Sequence, residues 1–455
     1  MGVTDAILLA LVGAILTLLG NMVVSVVNNR NTIAQEKLKA ASDLDLEKLK
    51  AKYNLILQSI ATNDPQAAKR NIEFFIGAGL LDDGDSAIRG ALERYNPVLP
   101  SASGGPAPAP HGVLPSDMAK LYNLPPHLDG AGQVIGLVEF GGGFKRKQIE
   151  AYFSKTKQPL PEIVEVLVGG AKNDGGAAAS GSQAVADIQL VGGIAPKAQL
   201  RVYFAPPDAD GWTAVVRRAT EDGVGVLLIS WGMAESDWKA DDLKRVNAAL
   251  QAAAEKGVTI ITPVGDWGAA PPGRRKREVV FPATSPWVLA VGGTAMDSGP
   301  DGIAAERVWN EPDGGASGGG VSRVVETPAW QSAVQADGKP LAGRAVPDVC
   351  AAAWNTLTLI GFGRSLAQIG GTTVAAATWA GLIARINQGL GRNVGYINPL
   401  LYGAIGPARV LRPITKGDNS RPGVKGYAAT DAWSPVAGWG APDGMKLLQW
   451  LKANG

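Results

Sequence analysis

An α/β fold with a mostly parallel sheet is what this sequence predicts, and three observations carry the prediction. Six short apolar runs rich in β-branched residues follow one another: VIGLVEF at 134–140, EIVEVLV from 162, QLRVYFAP from 199, GVLLISWG from 225, VTIITPVG from 258 and PWVLAVGG from 286. Between them lie amphipathic stretches, at 145–155, 183–192, 211–221 and 241–256. Strands separated by helices predict a parallel sheet covered on both faces, with function gathered at strand ends and the turns after them. The 59 glycines suit such turns.

The elements before this region read differently. Residues 6–27 form a charge-free, mostly apolar run, the length of a bilayer-spanning helix at about 20 residues. It starts after Asp5 and runs on into Asn28, Asn29 and Arg30, without the basic start and small-residue cleavage site of a signal peptide. Residues 1–30 are therefore expected to be a transmembrane anchor. Arg30, Lys37 and Lys39 follow the span and no Lys or Arg precedes it. The positive-inside rule then expects a single-pass membrane protein with its large domain in the cytoplasm.

Residues 31–96 are expected to be helical. Leu46, Leu49, Tyr53, Ile56 and Ile60 recur at alternating spacings of three and four, a short heptad pattern. Self-association through this seam and packing on a neighbouring helix both fit it. Asp64 and Pro65 make a helix start, the acidic turn at Asp82, Asp83 and Asp85 ends the helix, and a second helix is expected over 86–95. The stretch 97–112 is a Pro/Gly/Ser linker, leaving 113–455 as the large domain.

Composition removes several functions. Lys and Arg number 43 against 41 Asp and Glu, and no compact basic cluster is picked out, so nucleic-acid binding is not expected. The single cysteine, Cys350, excludes an internal disulfide, and with only His111 and His127 beside it a His/Cys zinc cage cannot form. No histidine follows residue 127, which removes a Ser-His-Asp triad from the large domain. Neither GxxxxGK[ST] nor a strand-linked GxGxxG occurs, so no nucleotide cofactor is expected.

The stretch QIGGTTVAAATWAGLIARINQ, 368–388, carries the chemistry. A short apolar strand meets a double glycine, two threonines and a long alanine-rich helix. A hydroxyl there is held at the helix's positive end, although a plain helix cap accounts for Thr372 or Thr373 equally well. Together with LDGAGQVIGLVEFGGGF, GGIAPKAQLRVYFAP, LLISWG, VGDWG, FPATSPWVLAVGGT, SGGGVSR, VPDV and YINPLLY, this stretch resembles the sedolisins, the serine-carboxyl peptidases of subtilisin-like fold. The resemblance covers nearly everything from about residue 113 onward. It implies a catalytic serine in a Gly-Thr-Ser turn, a glutamate base with an aspartate four residues on, and a second aspartate stabilising the oxyanion.

Here the serine position holds Thr373 and the glutamate position Gln183, while Asp187 and Asp266 keep the two aspartates. The resemblance also makes Ser230, Trp231, Gly232 and Gly318, Gly319 and Gly320 walls of a peptide cleft; for the glycines, turn geometry and sheet-edge packing serve as well. A family calcium site is expected to be lost. Its Asp-Ile-Thr is Pro413-Ile414-Thr415, and its Gly-Pro-Gly-Trp-Asp loop is Thr430-Asp431-Ala432-Trp433-Ser434. The resemblance also implies a large prosegment, and the expectation here is the span and short helices in its place. The expectation is a membrane-tethered pseudopeptidase that binds peptide or protein in a residual cleft. The alternatives are an active serine-carboxyl-type endopeptidase using Thr373 and a membrane scaffold assembling through its N-terminal helices.

Overall fold

The computed structural model describes residues 113–454 apart from 176–180, 272–273, 300–301, 312–314, 355–357 and 363–364. The expected span at 6–27, the heptad seam and the linker all lie outside the described residues. Among these residues, no helix is long and apolar enough to cross a membrane.

Helix α1 (Pro115–Leu121) precedes β1 (Val134–Glu139), and α2 (Arg146–Lys155), β2 (Glu162–Leu167), α3 (Gly181–Ile194), β3 (Gln199–Phe204), α4 (Ala209–Glu221) and β4 (Val226–Ile229) alternate after it. The short β5 (Met233–Ala234), α5 (Ala240–Glu255), β6 (Thr259–Pro263), the short β7 (Val280–Phe281), β8 (Leu289–Gly299) and β9 (Gly302–Val308) follow. Two small ribbons come next: β10 (Gly320–Val321) pairs with β13 (Ala345–Val346), and β11 (Gln335–Ala336) with β12 (Lys339–Pro340). Then β14 (Val349–Trp354), the hairpin β15 (Thr358–Phe362) and β16 (Ser365–Ile369), α6 (Thr372–Leu390) and α7 (Gly444–Asn454) complete the domain.

The main sheet runs in the order β14-β8-β6-β4-β1-β3-β2, with β9 antiparallel on β8 and every other pair parallel. All six strand runs read from the sequence are in it. From β1 the chain passes to the edge strand β2, returns to β3 between β2 and β1, then crosses to β4 on the other flank of β1. The sheet therefore reverses its winding at β1, and in such sheets the crevice beyond the strand ends at the reversal is the natural site. Winding in two directions also puts helices on both faces. One apolar cluster joins α1, α2, α3, α6 and α7, and a separate one joins α4 and α5.

Helix α6 is buried on every side from Val374 to Asn387, as an all-round apolar helix must be. Its small residues set how closely neighbours approach: a Cβ added at Gly381 would lie 2.4 Å from Ile194 Cγ2 of α3. Further along, Arg385 Nε donates to the Ile194 carbonyl at 2.7 Å, which satisfies a cation inside the core and ties α6 to the end of α3.

Candidate active site

Three neighbouring strands deliver the site. Beyond β6 stand Gly265 and Asp266, beyond β4 Ser230 and Trp231, and at the end of β1 Glu139. Glu139 is wholly buried and accepts a hydrogen bond from Trp231 Nε1 at 3.2 Å. On α3, Gln183 and Asp187 lie one turn apart on one face, and Gln183 Nε2 donates to Asp187 Oδ1 at 2.8 Å.

The two acids are electrostatically coupled. Burial, and then the Asp187 charge, push the Glu139 carboxyl well above its ordinary range. Burial likewise raises Asp187 to about 7, against the opposing effects of Ser230 and Gln183. Ser230 lies beside that carboxyl, yet neither its Oγ nor Asp187 Oδ2 has a partner within normal hydrogen-bond reach, and Glu139 Oε1 has none either. The pair thus holds protons where isolated carboxylates would not.

The nucleophile turn is built around Gly371. Its φ of 128° and the space around it admit no side chain: an added Cβ would lie 2.8 Å from Asp266 Oδ2 and 3.4 Å from Thr373 Oγ1. The Thr373 hydroxyl and the free oxygen of Asp266 therefore flank one point above this glycine. The other carboxylate oxygen, Oδ1, accepts from both the backbone N–H and the hydroxyl of Thr372, each at 2.7 Å. Burial raises the Asp266 carboxyl, and the two Thr372 bonds oppose it. Thr372 is thus the residue that holds Asp266 in place, leaving Thr373 half-buried beside it.

The cleft-wall residues separate into two groups. Ser230 and Trp231 belong to the acid network. A Cβ at Gly318 would sit 2.0 Å from the Val264 carbonyl oxygen and one at Gly319 2.4 Å from that of Pro435, so backbone packing accounts for both glycines. Gly318 N also donates to the Gly265 carbonyl at 2.8 Å, bracing the turn that carries Asp266. Gly320 opens β10, and Gly232 packs against Val280, whose Cγ1 would be 2.5 Å from an added Cβ. Trp267, where the family resemblance expects serine, is 45% exposed.

Three features escaped the sequence reading. Glu139 looked like the end of an apolar strand; an acid closing five otherwise apolar or small residues was the available signal. The bonding of Thr372 to Asp266 had none. The run Arg274-Arg275-Lys276-Arg277 is a compact basic cluster in plain view, diluted by the balanced total charge.

The residues at the expected calcium positions do not fit a divalent cation. Pro413, Asp431 and Ala432 line a cavity of about 210 Å³ together with Arg409, whose Nη2 is 3.7 Å from Asp431 Oδ2. Thr430 Oγ1 donates to the Ala432 carbonyl at 3.0 Å, and Ser434 is buried in a tight backbone turn with Gly438. A hard cation needs several oxygens including charged ones, whereas this cavity offers a single carboxylate beside a guanidinium. Chelator is accordingly expected to leave the thermal midpoint unchanged. A drop of several degrees in EDTA that calcium reverses would show a working site.

A parallel sheet with its winding reversal at β1, acids on α3 and beyond the end of β6, and a hydroxyl at the start of a buried helix together define a subtilisin-like domain. A profile of the subtilase family matches residues 166–395. Kumamolisin of Bacillus sp. (strain MN-32) is 39% identical over 75% of this chain and 64% of its own length. Sedolisin of Pseudomonas sp. (strain 101) is 31% identical over 76% and 62%. The solved structure of Pseudomonas sedolisin, a serine-carboxyl proteinase complexed with two molecules of pseudo-iodotyrostatin, superimposes with a TM-score of 0.68 at 28% identity, covering 76% of this chain and all of that one. The chain belongs to the subtilase family and, within it, to the sedolisins. It spans less than two thirds of the length of the two curated relatives.

Proposed function

We propose that this protein is a membrane-tethered pseudopeptidase, a sedolisin-like domain that binds peptide or protein in its cleft without cutting it. The observation that carries the reading is the Gln183–Asp187 pair. A carboxamide occupies the place of the base, and its nitrogen is committed to Asp187. It can accept a hydrogen bond from a hydroxyl but cannot take the proton. The threonine at 373 adds a methyl that restricts its rotation in a turn lacking room for a Cβ two residues earlier, at Gly371. The tether rests on the apolar run at 6–27.

One observation favours a second reading, an active endopeptidase using Thr373. Asp187, at about 7 and with Oδ2 unpartnered, has the basicity of a general base. Against it, Asp187 is wholly buried and one helical turn beyond Gln183. A labelled peptide library incubated with the purified protein from acidic to neutral pH separates the two. Saturable binding without turnover is expected. Turnover that disappears in Thr373→Ala would overturn the proposal.

A further inference from the structure

Beside the site lies a basic cavity that the proposed function does not use. Its volume is about 360 Å³, and two segments wall it, 274–279 and 321–324. The first leads directly into β7, which pairs antiparallel with β5, the strand that follows Ser230, Trp231 and Gly232. Val280 fixes the connection. Its Cγ1 and Cγ2 would lie 2.5 Å and 3.1 Å from Cβ atoms added at Gly232 and Gly265, the latter being the residue before Asp266. The cavity is thus mounted on the same rim as the candidate active site.

The charges lining it are unequal in what they can do. Arg274 is held by Asp237 at 2.5 Å and Glu278 at 3.7 Å. Arg277 is held by Asp337 at 2.8 Å and by the Lys425 carbonyl at 2.7 Å, and its guanidinium lies 3.9 Å from the centre of the Tyr427 ring. Arg275, Lys276 and Arg323, all exposed, have no carboxylate partner among the described residues. The acid on the cavity floor does not offset them fully: Glu235 is buried, takes a hydrogen bond from Ser322 Oγ at 2.7 Å, and burial raises its carboxyl.

The rest of the lining is aliphatic, Val279, Val321 and Val324, and Val324 is 55% exposed. Among the described residues, no aromatic ring lines the cavity. Single-stranded nucleic acid is held by aromatic platforms under its bases together with cations along its backbone, and only the cations are present here. Aliphatic walls among unpaired guanidinium groups suit a polypeptide whose carboxylates alternate with apolar side chains.

We infer that the cavity between segments 274–279 and 321–324 is a peptide subsite selecting carboxylate side chains through Arg275, Lys276 and Arg323, so that the cleft takes acidic peptide segments. The inference rests on the cleft being a peptide-binding one. The test uses a fluorescein-labelled nonapeptide, Ala-Gly-Glu-Glu-Val-Glu-Glu-Gly-Ala, and its counterpart with glutamine for each glutamate, titrated by fluorescence anisotropy with the full chain. At neutral pH and roughly 0.05 M salt the glutamate peptide should bind about tenfold more tightly, and the gap should close toward roughly 0.5 M. The triple variant Arg275→Gln, Lys276→Gln, Arg323→Gln, at exposed positions, should bind both peptides alike with an unchanged thermal midpoint.

Equal affinity of the two peptides for the unmodified protein would overturn this inference and leave the peptide-binding reading standing. Binding of neither would overturn both. Cleavage of the glutamate peptide, with its preference intact, would overturn only the pseudopeptidase reading. Displacement of that peptide by equimolar oligothymidylate through the same arginines would reassign the cavity to phosphate anions and overturn the carboxylate assignment.

Discussion

The double variant Gln183→Glu, Thr373→Ser is expected to gain endopeptidase activity on the order of 10³-fold over the unmodified protein, while either single change gains less than about tenfold. Base and nucleophile act as a unit, so supplying one without the other changes little. The surroundings needed by such a pair are in place. Asp187 lies at hydrogen-bond distance from the 183 side chain, and it retains its proton up to about 7. It can therefore donate to a new carboxylate at position 183 in acid. Asp266 Oδ2 and the 373 hydroxyl already flank one point above Gly371.

The sign of the pH dependence follows from these groups. Below the ordinary glutamic range, near 4.3, the new carboxyl is protonated and cannot act as a base. As the pH rises through about 7 Asp187 loses the proton it would donate, and two adjacent carboxylates, one buried and one half-buried, repel. Activity should therefore form a bell between those limits. A fluorogenic peptide assayed in steps from acid to neutral pH measures it; a double variant as inert as the unmodified chain would mean that decay extends beyond these two positions, with Trp267 beside Asp266 the next to revert to serine.

How much of this was legible in the sequence differs between the scaffold and the site. The runs at 134, 162, 199, 225, 258 and 286 announce their strands because β-branched residues flanked by turns leave little else for them to be. β14 was missed because its core, Cys350-Ala351-Ala352-Ala353, carries no β-branched residue. Pairing with β8 makes it a strand, a tertiary effect that outweighs local preference. Within the site, the family resemblance singled out Gln183, Asp187, Asp266 and Thr373. It could not show that Glu139 and Trp231 complete the network, since those residues stand 92 positions apart and meet only because β1 and β4 are neighbours. Charge totals hid the basic cavity for a similar reason: Arg323 joins the 274–277 run only once β10 is folded.

Replacing Asp348 should cost more stability than any other single change considered, about 3–5 kcal/mol for Asp348→Ala. Asp348 and Arg344 are both fully buried, and Arg344 Nη2 donates to Asp348 Oδ2 at 2.6 Å. The same oxygen accepts from Ala290 N at 2.8 Å, while Oδ1 accepts from the Tyr402 hydroxyl at 2.7 Å. Gln331 closes the network through the Ala345 carbonyl and Tyr402. Removing the carboxylate leaves the buried guanidinium with the Ala345 carbonyl as its remaining acceptor, and a backbone N–H and a phenol that lose theirs. The damage should spread toward the site, because Asp348 leads into β14, and the Cys350 carbonyl accepts from Trp379 Nε1 of α6 at 3.0 Å. Urea unfolding at neutral pH measures the loss as a lower midpoint at unchanged slope. The double change Arg344→Met, Asp348→Leu should lose less than Asp348→Ala, because it removes both charges and fills the space. A single-variant loss below about 1 kcal/mol, or a double variant worse than the single one, would mean that the ion pair is not what holds this corner of the sheet.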